Sequence, residues 1–114
     1  MLSLDDPRDP GELLEEGFQK VADVGEVPAS RPLKVVLDGV EVLLCRHKFN
    51  FFAVASRCPH RDTSMAEGTV DHGRIVCPFH GFSFDLVTGE CDEKCDGIGT
   101  FEVKVCRGGV YLKV

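Results

Sequence analysis

Cys58-Pro59-His60-Arg61 and Cys77-Pro78-Phe79-His80-Gly81-Phe82 are the two stretches that decide how this chain is read. Sixteen residues separate His60 from Cys77. The pattern is C-x-H followed by C-x-x-H, with each pair expected on a short loop. Two soft thiolates and two imidazoles suit either one tetrahedral zinc or a [2Fe-2S] centre of mixed ligation. Zinc would make a static structural site, and the cluster would make an electron carrier.

Working outward, the residues around these pairs favour stiff loops. Pro59 and Pro78 each follow a cysteine, and proline fixes φ. Gly81 permits close backbone approach after His80. Pro32–Asp38 and Val40–Arg46 are apolar, β-branched runs broken at Asp38-Gly39, which predicts a tight hairpin. Phe51–Ala55 follows a polar turn at His47–Asn50. Arg74–Cys77 and Phe82–Asp85 read as short strands beside the loops. Thr100–Cys106 and Val110–Val114 read as a closing hairpin about Arg107-Gly108-Gly109. Strands at this spacing with glycine-rich turns predict an antiparallel sandwich or barrel. The β base comprises residues 18–56 and 90–114, and an insert of about residues 57–89 carries both loops.

With 114 residues the chain is expected to form one domain. Its net charge of −6 is concentrated at one end. Residues 1–17 hold six acids and one base, which leaves about one net negative charge for the rest. That distribution gives no support to binding of nucleic acid or any other polyanion. In this acidic tail, Asp9-Pro10-Gly11-Glu12 predicts a short helix with Asp9 as N-cap and Pro10 at its first position. No apolar run approaches the roughly 18 residues that span a bilayer, so no membrane contact is expected. The start Met1-Leu2-Ser3-Leu4-Asp5-Asp6 lacks the basic-then-apolar pattern of a secretory leader, and a cytoplasmic location is expected.

Six cysteines occur, two of them in the paired motifs. Cys45 and Cys106 lie in apolar runs and read as small core residues. Cys91 and Cys95 lie in a polar loop. They can be free thiols, a local disulfide or a second metal site, and a cytoplasmic setting favours free thiols. His47 and His72 sit in turns without a spaced partner and read as ordinary surface residues.

The two motifs, followed by Phe84-Asp85 and Thr88-Gly89, resemble the signature of Rieske iron–sulfur proteins, and the resemblance extends from about Phe18 to Val114. It implies an all-β, antiparallel sandwich spanning 18–114 with a small cluster-binding insert at one tip. It also implies one [2Fe-2S] cluster, with Cys58 and Cys77 on one iron and His60 and His80 on the other. Imidazoles in place of two thiolates remove two negative charges from that second iron, which is then the easier one to reduce. Two departures separate the chain from the respiratory subgroup. The extra loop cysteines of that subgroup correspond to Thr63 and Phe79, and its Ser and Tyr hydroxyls correspond to Phe82 and Phe84. The chain is therefore expected among the low-potential members, which include ferredoxins and oxygenase domains.

No catalytic residue is identified. The chain ends 34 residues after His80, which leaves no expected room for the mononuclear iron domain of an oxygenase, and no G-x-G-x-x-G occurs. The resemblance implies a soluble ferredoxin that carries one electron from a ferredoxin reductase to a terminal oxygenase. Pro59, Arg61, Phe79 and Phe82 would frame the docking face. The second reading is a small subunit of a cytoplasmic nitrite reductase. Readings of another class are a zinc-stabilised binding module and a redox sensor using Cys91 and Cys95.

Overall fold

The computed structural model describes residues 9–48, 50–57, 64–78, 82–91 and 97–114. Helix α1 (Pro10–Glu15) precedes nine strands among these residues: β1 (Gln19–Asp23), β2 (Leu33–Leu37), β3 (Val40–His47), β4 (Asn50–Ala55), β5 (Thr69–Asp71), β6 (Arg74–Val76), β7 (Ser83–Asp85), β8 (Thr100–Cys106) and β9 (Gly109–Lys113). The all-β, antiparallel architecture expected from the sequence is the one the chain adopts.

Three tight turns set the register. Asp38 and Gly39, His72 and Gly73, and Arg107 and Gly108 are successive pairs with φ between 49° and 78°. Two consecutive left-handed residues are the type I′ pattern, whose twist matches that of the strands it joins. These turns connect β2 to β3, β5 to β6, and β8 to β9. Six strands form one sheet in the order β1-β9-β8-β4-β3-β2, and β5-β6-β7 form a second, smaller one.

The middle of β3 is buried on both faces, so Val42–Cys45 reads as an unbroken apolar run. Its alternation divides the interior. Val42 and Leu44 pack with Ala53 of β4 and with Val110 and Leu112 of β9, which requires the large sheet to fold over on itself. Leu43 and Cys45 face the other way, with Val54, onto Met65, Val70, Ile75, Cys77, Phe84, Leu86 and Ile98. This second core glues the small sheet to the large one. Val70 of the small sheet also donates its N–H to the carbonyl of Ser30, in the segment before β2, at 2.9 Å. A half-buried His47 ring lies against the Gly73 turn, where a Cβ would be 3.5 Å from its Cδ2. His47 thus differs from the surface residue expected, whereas His72 is exposed and pairs with Asp71 at 2.8 Å.

At the N-terminal end, Asp9 accepts a hydrogen bond from Glu12 N–H at 2.9 Å and caps α1. Leu13 of this helix is fully buried beside Phe18, Cys106 and Tyr111. A six-residue helix is marginal alone, and this apolar contact is what stabilises it.

Candidate metal centre

Both candidate ligand loops leave from paired stems. The first departs from the end of β4. Met65 N–H donates to the Ser56 carbonyl at 2.7 Å, and Arg57 and Ser64 form an isolated antiparallel bridge. Residues 56–57 and 64–65 are thereby held side by side. Ser64 turns the returning chain by accepting from Ala66 N–H at 3.2 Å, and Met65 plugs into the core beneath. Cys58 and His60, with Pro59, Arg61 and Thr63, lie outside the described residues.

The second loop joins β6 to β7. Cys77 N–H donates to the Phe82 carbonyl at 2.8 Å, one step beyond the pairing of Val76 with Ser83. Cys77 is a free thiol with 1% exposure, in the same buried cluster as Met65 of the first stem. Pro78 is exposed, and Phe82 is half-buried and packs against that cluster. Phe84 is fully buried there as well, so an apolar ring occupies this position under the loop. Phe79, His80 and Gly81 lie outside the described residues.

The stems carry the two buried polar residues found among the described residues, Ser56 and Ser83. Ser83 is bound by Arg74, a residue to which the sequence reading assigned no role. Arg74 Nε donates to Ser83 Oγ at 2.8 Å. One of its terminal nitrogens donates to the Ser83 carbonyl at 3.1 Å and to the Glu90 carbonyl at 3.3 Å. The only signal for it in the sequence is a charged residue beginning an apolar strand two positions before Val76.

Beyond β7, Asp85 caps its own turn by accepting from Val87 and Thr88 N–H at 2.8 and 3.1 Å. Asp85 N–H donates to Glu90 O, and Cys91 bridges back to Phe84. Gly89 accepts from Ile98 N–H at 2.8 Å, which ties residue 89 to residue 98. Cys91 follows Gly89 closely and is disulfide-bonded, to a partner outside the described residues. The free-thiol expectation for Cys91 is corrected accordingly, since this tie favours cross-linking over separation. Cys95 lies outside the described residues. Cys45 and Cys106 are buried, as read from their apolar surroundings, and neither forms a disulfide; burial pushes the Cys45 thiol up to about 12.

The donor chemistry fits a [2Fe-2S] group. A buried thiol, unpaired in a disulfide, stands at one stem, and both stems are held by backbone pairs. Among the described residues no group of three or more His, Cys, Asp or Glu is placed to hold a metal ion.

Comparison with known proteins agrees. The family model of the Rieske [2Fe-2S] domain matches residues 17–101. A 3-phenylpropionate/cinnamic acid dioxygenase ferredoxin subunit from Photorhabdus laumondii is 35% identical over 97 residues, covering 82% of this chain and 91% of that protein. Human apoptosis-inducing factor 3 is 30% identical over 95 residues, but this chain spans only 16% of its length. Among solved structures, one of a complex of reduced oxygenase and oxidized ferredoxin in carbazole 1,9a-dioxygenase superposes with a TM-score of 0.77 at 31% identity. That match covers 85% of this chain and 93% of the matched one.

Proposed function

The chain belongs to the Rieske [2Fe-2S] domain family, and on that premise we propose that it is a one-electron carrier passing electrons from a ferredoxin reductase to a terminal oxygenase. The observation that carries this reading is the extent of its likeness to a dioxygenase ferredoxin subunit, 91% of which it matches at 35% identity. When bound, the [2Fe-2S] group supplies reversible one-electron transfer. Cys58 and Cys77 hold one iron in this reading, and His60 and His80 hold the other.

The chain's own residues then have three tasks. The Ser56–Met65 and Cys77–Phe82 hydrogen bonds hold the loop stems, which limits reorganisation when charge changes. The buried cluster of Leu43, Cys45, Met65, Ile75 and Phe84 excludes water from the Cys77 side. His60 and His80 would present the outer edge, with Pro59, Arg61, Phe79 and the half-buried Phe82 around them. A small contact of this kind suits the weak, brief complexes of electron transfer. The similar carbazole dioxygenase structure, which pairs a ferredoxin with an oxygenase, supports an oxygenase as the acceptor. In this reading the carrier works in the cytoplasm; no helix among the described residues is long and apolar enough to cross a membrane.

Reconstitution tests the reading. The holoprotein, an NADH-dependent ferredoxin reductase and a Rieske oxygenase are mixed, and product formation is followed as the holoprotein is titrated. Turnover that requires and saturates with this protein is the expected result. A protein that purifies from its source only in fixed stoichiometry with a nitrite reductase large subunit, and supports no oxygenase turnover, would favour the second reading.

A further inference from the structure

We propose that Arg74 is the positioning residue of the second ligand loop, fixing the segment that carries Cys77 and His80 to the Cys91 segment behind it. The inference rests on the assignment of those two residues as cluster ligands.

The geometry is that of a strap. Arg74 stands opposite Asp85 in the β6–β7 register, while Ser83 lies opposite Val76, two positions along. A long side chain reaches such a diagonal neighbour. The guanidinium crosses to Ser83 and engages both its hydroxyl and its carbonyl, at 2.8 and 3.1 Å. The nitrogen that takes the Ser83 carbonyl also takes the Glu90 carbonyl at 3.3 Å, and the other terminal nitrogen lies 3.8 Å from Asp85 Oδ2. Ser83 directly follows Phe82, whose carbonyl closes the loop onto Cys77 N–H. Glu90 directly precedes the disulfide-bonded Cys91. One side chain thus holds the trailing stem of the ligand loop and the Cys91 segment in a single planar fork.

The chemistry requires arginine here. Its donors are fixed in a plane and can serve three acceptors from two segments at once, which a lysine ammonium on a flexible stem does not reproduce. Without the fork, the Ser83 carbonyl and hydroxyl each lose a charge-assisted donor and the Glu90 carbonyl keeps its bond from Asp85 N–H alone, so the link between the two segments is weakened. The Ser83 hydroxyl loses a partner at a site that is 9% exposed. Partners that orient metal ligands typically alter metal retention when removed.

Arg74→Lys, Arg74→Gln and Ser83→Ala are compared with wild type as holoproteins. The readouts are the EPR spectrum of the reduced form, the midpoint potential, and the rate of visible bleaching in excess chelator. The expected result for both Arg74 variants is a shifted EPR spectrum or potential together with bleaching faster by about 10–100-fold, the scale typical for such outer partners. Ser83→Ala should show a smaller change in the same direction. Combined with Arg74→Gln it should add little, because the two residues share one contact. Ser83→Ala and Arg74→Lys are mild enough to assemble if Arg74→Gln is not. A fall in thermal stability with spectrum, potential and bleaching rate unaltered would overturn the proposal. His80→Cys is run in parallel. If its spectrum matches wild type, the ligand assignment fails; if it changes while the Arg74 variants do not, only the strap fails.

Discussion

Gly68 lies flush against the Val76 carbonyl oxygen, so that a Cβ on Gly68 would overlap it and would also stand 3.1 Å from the Met65 carbonyl. The chain returning from the first ligand loop is thereby seated on the residue that precedes Cys77. Gly68→Ala should force these backbones apart and cost about 1–3 kcal/mol, the range for overpacking a filled site. Urea unfolding of the holoprotein checks this. Gly25→Ala is the control, because nothing lies within 4 Å of a Cβ there and its φ is not in the left-handed region. Equal losses in the two variants, or none in Gly68→Ala, would show that the seating is unimportant.

Cys45 gives a prediction for alkaline solution. Burial raises its thiol from 9.0 to about 12, so the folded state favours the neutral form. The associated stability is complete below about pH 9. It declines as the pH rises toward about 12, where the unfolded chain ionises and the folded one resists. The decline is about 1.4 kcal/mol per pH unit within that window. Unfolding free energy measured from pH 8 to 11 should therefore fall less steeply in Cys45→Ala than in wild type, even though the variant is less stable overall. Identical slopes would contradict the assignment.

The redox potential should lie near the low end of the Rieske range, at about −150 mV. The reason is the apolar surroundings of the second loop: Phe84 is fully buried in the cluster that contains Cys77, and Phe82 packs against it, so neither position offers a hydroxyl. Phe82→Ser combined with Phe84→Tyr should raise the potential if the new hydroxyls reach sulfur. Protein-film voltammetry measures both proteins. A wild-type value well above zero would contradict this account.

What was legible in the sequence follows from the physics of each feature. The hairpins at Asp38-Gly39 and Arg107-Gly108 could be read because few residues tolerate paired left-handed φ, and glycine marks the spot. The long strands could be read because Val42–Cys45 and Val110–Leu112 are buried runs. β1 and β5 gave no such signal. Each buries a single residue, Ala22 or Val70, among exposed or half-buried neighbours, and pairing rather than composition makes them strands. The ligand motifs stood out because few combinations of thiolate and imidazole serve any other purpose. Arg74 was invisible because its partners are a serine and two carbonyls, 9 and 16 positions away, and carbonyls leave no mark in a sequence. The seat at Gly68 was missed for the same reason: its neighbour is backbone. The state of Cys91 stays open in the sequence, between thiol, disulfide and metal ligand, because a four-residue spacing does not reveal that Gly89 and Ile98 are hydrogen-bonded to each other.

The central claim is that two cysteines and two histidines on these loops share one [2Fe-2S] cluster, with both imidazoles on the same iron. Pulsed EPR of the reduced holoprotein, with and without ¹⁵N-labelled histidine, tests it most directly. The account predicts two strongly coupled histidine nitrogens in wild type and one in His80→Cys, with a spectrum shifted toward that of an all-cysteine centre. Absence of histidine coupling in wild type, or a His80→Cys spectrum indistinguishable from it, would contradict the account.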